Sequence, residues 1–445
     1  MSKGATREGL GTVFGMRPET GRWVYVALGL IMNVCLGTVY AWSVFTKDLK
    51  DFFAAGGQSL SATQLNTPFL VFLAFFSILM PVAGKLFNRL NPKLVMLLGG
   101  VAVGAGWLLA GYAIYDVVSL GAAAFPLLVV AYGVIAGSGV GVVYGGPIAT
   151  STRWFPDRKG LAVGLTVLGF GVSAAITAPL ASFLISAYTV PMAFMILGAL
   201  FFILLVILSL LMRFPPAGWT PAGWKPSAAT VPARDLTTAQ MLRTGSFYAL
   251  WFCFIVGSLA GLMAIGVSKT IGTDYVGLEP ATATMAVSLF ALPNGVGRPL
   301  FGWLTDRLTP RYAAVVSFVL VILGGVVMIP AQEGSGLAEG ARLALFLAGF
   351  SCLWMTLGGW LAIAPTTTST FFGLKNQPNN YGVVFSSYGI GAIAGNLLSG
   401  YVRDELKNYL YIFYPIIALA LIGIIVALVG MRPPKTGEGA RSGGG

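Results

Sequence analysis

The chain has 445 residues, of which 56% are hydrophobic and only 9% charged, against about 25% charged residues in an average soluble domain. With a mean hydropathy of +0.83 it cannot cover its own surface for water, so a soluble globular fold is excluded and lipid is the solvent for most of it. The formal net charge of +12 must then be explained on a membrane protein.

In lipid every backbone polar group needs an internal partner, so spanning segments are helices or closed barrels. Barrel strands alternate apolar and polar residues over roughly 10 positions. Here the apolar runs are continuous and exceed the ~20 residues a helix needs to cross. In chain order the runs cover 22–47, 63–85, 94–115, 122–150, 160–186 and 190–213, then 247–272, 281–305, 312–331, 342–372, 380–401 and 408–431. The first run is a full span, longer than the apolar core of a cleaved signal peptide. The expected fold is therefore an all-α membrane protein of twelve transmembrane helices in two six-helix halves. An N-terminal tail covers 1–21, the first half 22–213, a linker 214–246, the second half 247–431 and a C-terminal tail 432–445.

Lys and Arg in the loops set the orientation. With the N-terminus inside, the inner segments hold 20 of the 27 basic residues, among them Lys3, Arg7, Lys225, Arg234, Lys435 and Arg441. The outer segments hold six: Lys47, Lys50, Lys269, Arg342, Arg403 and Lys407. Both termini are thus expected to be cytoplasmic, in the inner (plasma) membrane. The net charge reads as this inside bias towards membrane lipid, with no nucleic acid as partner. Cys35, Cys253 and Cys352 all fall in the spans without metal-ligand spacing, and read as small buried apolar residues.

The linker carries Pro215, Pro216, Pro221, Pro226 and Pro232 and divides the chain nearly evenly. Gly84-Lys-Leu-Phe-Asn-Arg-Leu-Asn-Pro-Lys93 after the second span aligns with Gly302-Trp-Leu-Thr-Asp-Arg-Leu-Thr-Pro-Arg311 after the eighth, at an offset of 218. Trp154-Phe-Pro156 aligns with Phe371-Phe-Gly373 at 217. Parallel repeats of this kind place a binding site near the midplane, between two halves.

The Gly302–Arg311 segment resembles the signature loop of the major facilitator superfamily, and Gly84–Lys93 its weaker copy. Arg153-Trp-Phe-Pro-Asp-Arg-Lys-Gly-Leu-Ala-Val-Gly164, Gly141-Val-Val-Tyr-Gly145, Asn294-Gly-Val-Gly-Arg-Pro299 and Asn380-Tyr-Gly382 resemble the oxalate/formate antiporter family. The related monocarboxylate transporters share the single arginine of the eighth span. The likeness runs from about 20 to 431. It implies alternating-access transport of a small carboxylate.

Arg298 is the candidate at the centre. It lies eight residues before Asp306, about 12 Å along a helix and so near the midplane. No other charged residue lies in a span interior and the chain has no His. A lone buried arginine costs at least ~2.5–3.5 kcal/mol on insertion scales, and a substrate anion, held by two parallel hydrogen bonds, is the economical partner. Asn294, one turn earlier on the same face, can orient it or donate to the anion, and is a candidate substrate-binding residue. The resemblance adds Tyr40, Tyr144 and Gln64 as substrate-binding positions. It also places a lysine of the oxalate/formate antiporter at the position of Tyr388, which reads as a hydrogen-bond donor in its stead. One cation suits a monoanion, whereas a dianion leaves about one charge uncompensated. The resemblance further assigns Asp306 and Arg307 to gating. Gly133, Gly137, Gly141 and Gly145 form a bare stripe that reads as close helix packing.

The expected function is secondary active transport of a lactate- or pyruvate-like monocarboxylate, coupled to protons. An oxalate/formate-type exchanger is the alternative, and a transporter-like nutrient sensor belongs to another class. An embedded enzyme would need metal ligands or paired acid and base groups in the spans, and a pump an ATP motif. None is present, so no catalytic residue, metal or cofactor is expected.

Overall fold

The computed structural model describes residues 12–216, 218–224 and 235–434. Lys3, Arg7, Lys225, Arg234, Lys435 and Arg441, with Pro226 and Pro232 of the linker, lie outside them. So do most of both tails and the side chain of Asn88.

Twelve long helices follow one another: α1 Pro18–Ala55, α2 Ala62–Arg89, α3 Pro92–Tyr115, α4 Val117–Trp154, α5 Lys159–Ala187 and α6 Val190–Leu211. Then come α7 Gly245–Tyr275, α8 Pro280–Leu308, α9 Pro310–Ala331, α10 Glu339–Phe372, α11 Gln377–Tyr401 and α12 Leu410–Gly430. Eleven of them are apolar enough to cross a membrane by composition alone. The twelfth, α8, carries Arg298 and has 29 residues, about 43 Å of helix and ample for a crossing. Among the described residues there is no strand beyond an isolated bridge between Val13 and Met16.

The local sequence explains the helix starts. Ser61 accepts from the Gln64 N–H while the Gln64 side chain accepts from the Ser61 N–H, a closed capping box at α2. Asn91 caps α3 ahead of Pro92, and Thr244 caps α7. Two helices leave α geometry mid-span: α1 tightens to a 3-10 turn over Gly37–Ala41, and α4 widens to a π-helix over Val129–Ala136.

The helices run beyond the apolar segments. The first reaches Ala55, so Lys47 and Lys50 are helical rather than in a loop. More consequentially, Gly302–Leu308 continues α8, placing Asp306 and Arg307 in its last turn instead of in the loop expected for them. Hydropathy reports where lipid ends. The i→i−4 hydrogen bonds that hold a helix continue past that boundary.

Twelve successive helices bring the start of α1 and the end of α12 to the same side of the bundle, here called the terminal face. The first six helices meet the second six along two seams, α5 against α8 and α2 against α11. The first seam is backbone on backbone. A Cβ on Gly160 would stand 2.1 Å from the Gly302 carbonyl oxygen, and one on Gly302 2.1 Å from that of Gly160. At the same level the Asp306 carboxylate accepts from the N–H groups of Gly160 (2.8 Å) and Leu161 (2.9 Å). It thereby satisfies orphan donors at the start of α5 and opposes the positive helix end. Arg307 is exposed, its Cζ 5.8 Å from the centroid of the Trp303 ring. The glycine stripe of α4 packs on α2: Gly133 on Val71, Gly137 on Phe72 and Gly141 on Phe76.

The Arg-Trp-Phe-Pro-Asp segment ties this face together. Arg22 of α1 grips Asp157 with bonds of 2.6 and 2.9 Å and donates to the Trp154 carbonyl at 3.0 Å. Burial pulls the Asp157 carboxyl upward, but hydrogen bonds and charge from Arg22 outweigh it and hold the group below its ordinary 3.8.

Asp157→Ala leaves the buried Arg22 without its carboxylate and is expected to cost about 3 kcal/mol at neutral pH. Because folding lowers this pKa, the wild-type contribution is complete at neutral pH and is lost as pH falls through the depressed value. Thermal unfolding of both proteins across pH 7 to 3 should therefore show a gap that narrows towards acid. Gly302→Leu should wedge α5 from α8, and a cysteine placed at Thr366 should then react faster with a reagent added from the terminal face.

Candidate functional site

Arg298 is fully buried in α8, against α5. Its Nη1 donates to the Val167 carbonyl at 2.7 Å and its Nη2 to Asn294 Oδ1 at 3.3 Å. Asn294 is itself fixed, its Nδ2 donating to the Trp354 carbonyl of α10 at 3.1 Å. The i, i+4 pairing expected from the sequence is thus present, with Asn294 as the orienting group. Among the described residues Arg298 has no carboxylate partner, and its Nε has no hydrogen-bond partner. A guanidinium carries five N–H donors, and two are used here.

Aromatic residues from five helices close round this group. Phe170 of α5 presents its ring 5.6 Å from the Arg298 Cζ. Tyr40, at the 3-10 turn of α1, lies edge-on to Phe170 at 5.2 Å and shares a 2.8 Å hydrogen bond between hydroxyls with Tyr388 of α11. Tyr144 of α4 packs on Phe76, Phe170 and Phe385. Phe385 stacks on Tyr388 with centroids 5.0 Å apart. The Arg298 charge acts on the hydroxyls of Tyr40, Tyr144, Tyr381 and Tyr388. The buried hydroxyls of Tyr144 and Tyr381 lie beside each other, with Tyr144 also against Arg298, and neither is paired with a carbonyl or carboxylate. A buried polar group costs about 1–3 kcal/mol when left unpaired. The centre of the bundle thus concentrates hydrogen-bond donors, Arg298 and its surrounding phenols, and among the described residues no carboxylate pairs with them.

Five of the candidate residues, Arg298, Asn294, Tyr40, Tyr144 and Tyr388, are brought together. Gln64 is not. It is exposed, its side chain closes the α2 capping box, and it lies twelve residues, about 18 Å of helix, from Phe76 of the cluster. A polar residue three positions after a serine at a helix start is better spent on the cap. Asp306 stands at the α5–α8 seam on the terminal face, and Arg307 does not join it. Two site residues escaped the sequence reading. Tyr381 lies inside the Asn380-Tyr-Gly382 motif, which supplied a signal. Gly171 had none: a Cβ there would stand 2.6 Å from Arg298 Nε, so only glycine lets the guanidinium lie against α5.

Twelve long apolar helices around a central arginine without a carboxylate partner among the described residues are the architecture of a multi-pass membrane transporter. The chain belongs to the major facilitator superfamily, whose family model matches residues 23–365 and again 250–445. It is 31% identical to the oxalate:formate antiporter of Oxalobacter formigenes over 94% of this chain and 96% of that protein. It is 25% identical to monocarboxylate transporter 13 of Rattus norvegicus over 77% of this chain and 74% of the other. Among solved structures it resembles the proton:xylose symporter XylE, with a TM-score of 0.72 at 11% identity, covering 95% of this chain and 98% of that one. That likeness concerns the fold alone.

A methyl group at Gly171 would press on the guanidinium. Gly171→Ala is expected to cost about 1–3 kcal/mol of stability, as overpacking does. The same change in an Arg298→Met background should cost much less, and a double-mutant cycle by chemical unfolding measures the difference.

Proposed function

We propose that this protein is a secondary active transporter of a small monocarboxylate, lactate- or pyruvate-like, working by alternating access and coupled to protons. It would lie in the inner (plasma) membrane with both termini cytoplasmic, 22–213 and 247–431 rocking about the central site and 214–246 joining them. The observation that carries this reading is Arg298: a buried guanidinium that has no carboxylate partner among the described residues and is set among tyrosine hydroxyls. A carboxylate accepts through two oxygens and can take bidentate donation from arginine. Relatives named for oxalate, formate and monocarboxylate transport support the substrate class.

The charge count favours a monoanion. One cation faces the site, and the position where the resemblance places a lysine is Tyr388, whose hydroxyl is engaged with Tyr40. A dianion would keep about one uncompensated charge in a low-dielectric centre. The oxalate/formate-type exchange reading is favoured by the 31% identity to the antiporter, and the same assay separates the two. With no acidic side chain paired to Arg298 among the described residues, a proton would travel on the substrate as the neutral acid.

Proteoliposomes should take up labelled lactate faster under an inward proton gradient, and oxalate at less than about a tenth of that rate, a difference of ~1.4 kcal/mol. Arg298→Lys should abolish uptake of both while the purified protein keeps its helicity. Tyr388→Lys should raise oxalate uptake relative to lactate at least tenfold. Equal transport of oxalate by the wild type, or retained uptake in Arg298→Lys, would overturn this reading.

A further inference from the structure

Away from Arg298, two adjoining clefts open on the terminal face of the first six helices. One, of about 540 Å³, lies between the start of α3 and the end of α6, lined by Lys93, Met96, Arg213 and Phe214 among others. The second, of about 620 Å³, shares Lys93, Arg213 and Phe214 and adds Val13, Tyr25 and Leu211. Among the described residues no carboxylate lines either cleft. The Lys93 amine donates once, to the Leu210 carbonyl at 2.7 Å, closing the end of α6, and two of its three N–H donors remain. The Arg213 side chain is exposed, and its charge reaches the Tyr25 hydroxyl.

Leu210 and Leu211 line the second cleft, and they are exposed together with Leu94, Leu98 and Ile207 of the same two membrane-crossing helices, α3 and α6. An occupant must therefore be anionic at one end and apolar at the other. A soluble anion would satisfy the cations and leave the leucine wall untouched. Basic pockets between helices at a bilayer surface suit phospholipid headgroups. We propose that these clefts hold an anionic phospholipid, its phosphate between Lys93 and Arg213 and its acyl chains along the leucines of α3 and α6. Such a lipid would brace the ends of α1, α4 and α6 together. The Trp154 indole donates to the Arg213 carbonyl at 2.7 Å, and Tyr25 stacks on Trp154 at 5.0 Å.

The test uses the full chain purified in detergent, with phosphatidylglycerol or phosphatidylcholine added back. Native mass spectrometry counts retained lipid and thermal unfolding reads stability. Phosphatidylglycerol should be retained and should raise the midpoint by several degrees, and phosphatidylcholine should do neither. Arg213→Gln should cut phosphatidylglycerol retention at least fivefold with an unchanged midpoint in phosphatidylcholine. Lys93→Gln also removes the bond to Leu210, so its loss of retention is judged against its own midpoint in phosphatidylcholine. Equal retention by Arg213→Gln and wild type would overturn the proposal. So would the same protection from millimolar inorganic phosphate, which would make the ligand a soluble anion.

Discussion

Keeping a guanidinium charged at the centre of a lipid-embedded bundle is the constraint on which this structure depends. Lipid offers no hydrogen bonds, so the N–H groups of Arg298 must find their partners inside the bundle. The protein meets them sparingly, with one carbonyl and one amide oxygen. A glutamate or aspartate at the position of Asn294 would form an internal ion pair with Arg298 and neutralise the centre. Asn294 instead supplies a dipole that aims the group without cancelling its charge. Its own anchor on the Trp354 carbonyl makes α10 part of the aim.

The surrounding aromatics follow from the same constraint. Phenylalanine and tyrosine rings exclude water and so strengthen the field of the one cation. Their hydroxyls supply donors without adding charge. Tyr40 and Tyr388 come from the first and last thirds of the chain, yet their hydroxyls meet at 2.8 Å. The site is thus built from both sets of six helices.

Much of this was legible in the sequence, for identifiable reasons. Span number and type follow from transfer free energy, which acts locally. Arg298 and Asn294 were legible because a lone charge in an apolar run is rare and because i, i+4 fixes their shared face. Tyr40, Tyr144 and Tyr388 came from the resemblance, since apolar spans contain many tyrosines and periodicity cannot tell them apart. Gln64 misled because a capping role and a substrate role use the same amide. Gly171 was invisible because its meaning lies in what stands opposite on another helix. The helical placement of Asp306 and Arg307 was missed because hydropathy marks the edge of lipid and not the end of a hydrogen-bond ladder.

The facing glycines at 160 and 302 have a mechanical consequence. Where side chains interdigitate, separating two helices means withdrawing knobs from holes and repacking rotamers one by one. Two bare backbones have nothing to withdraw. Their attraction is short-ranged dispersion, lost within an ångström or so of separation, and the Asp306 cap and the Arg298–Val167 hydrogen bond are polar contacts broken alongside it. Such a joint behaves as a smooth bearing. It can close tightly and reopen repeatedly, with little friction from conformers trapped between.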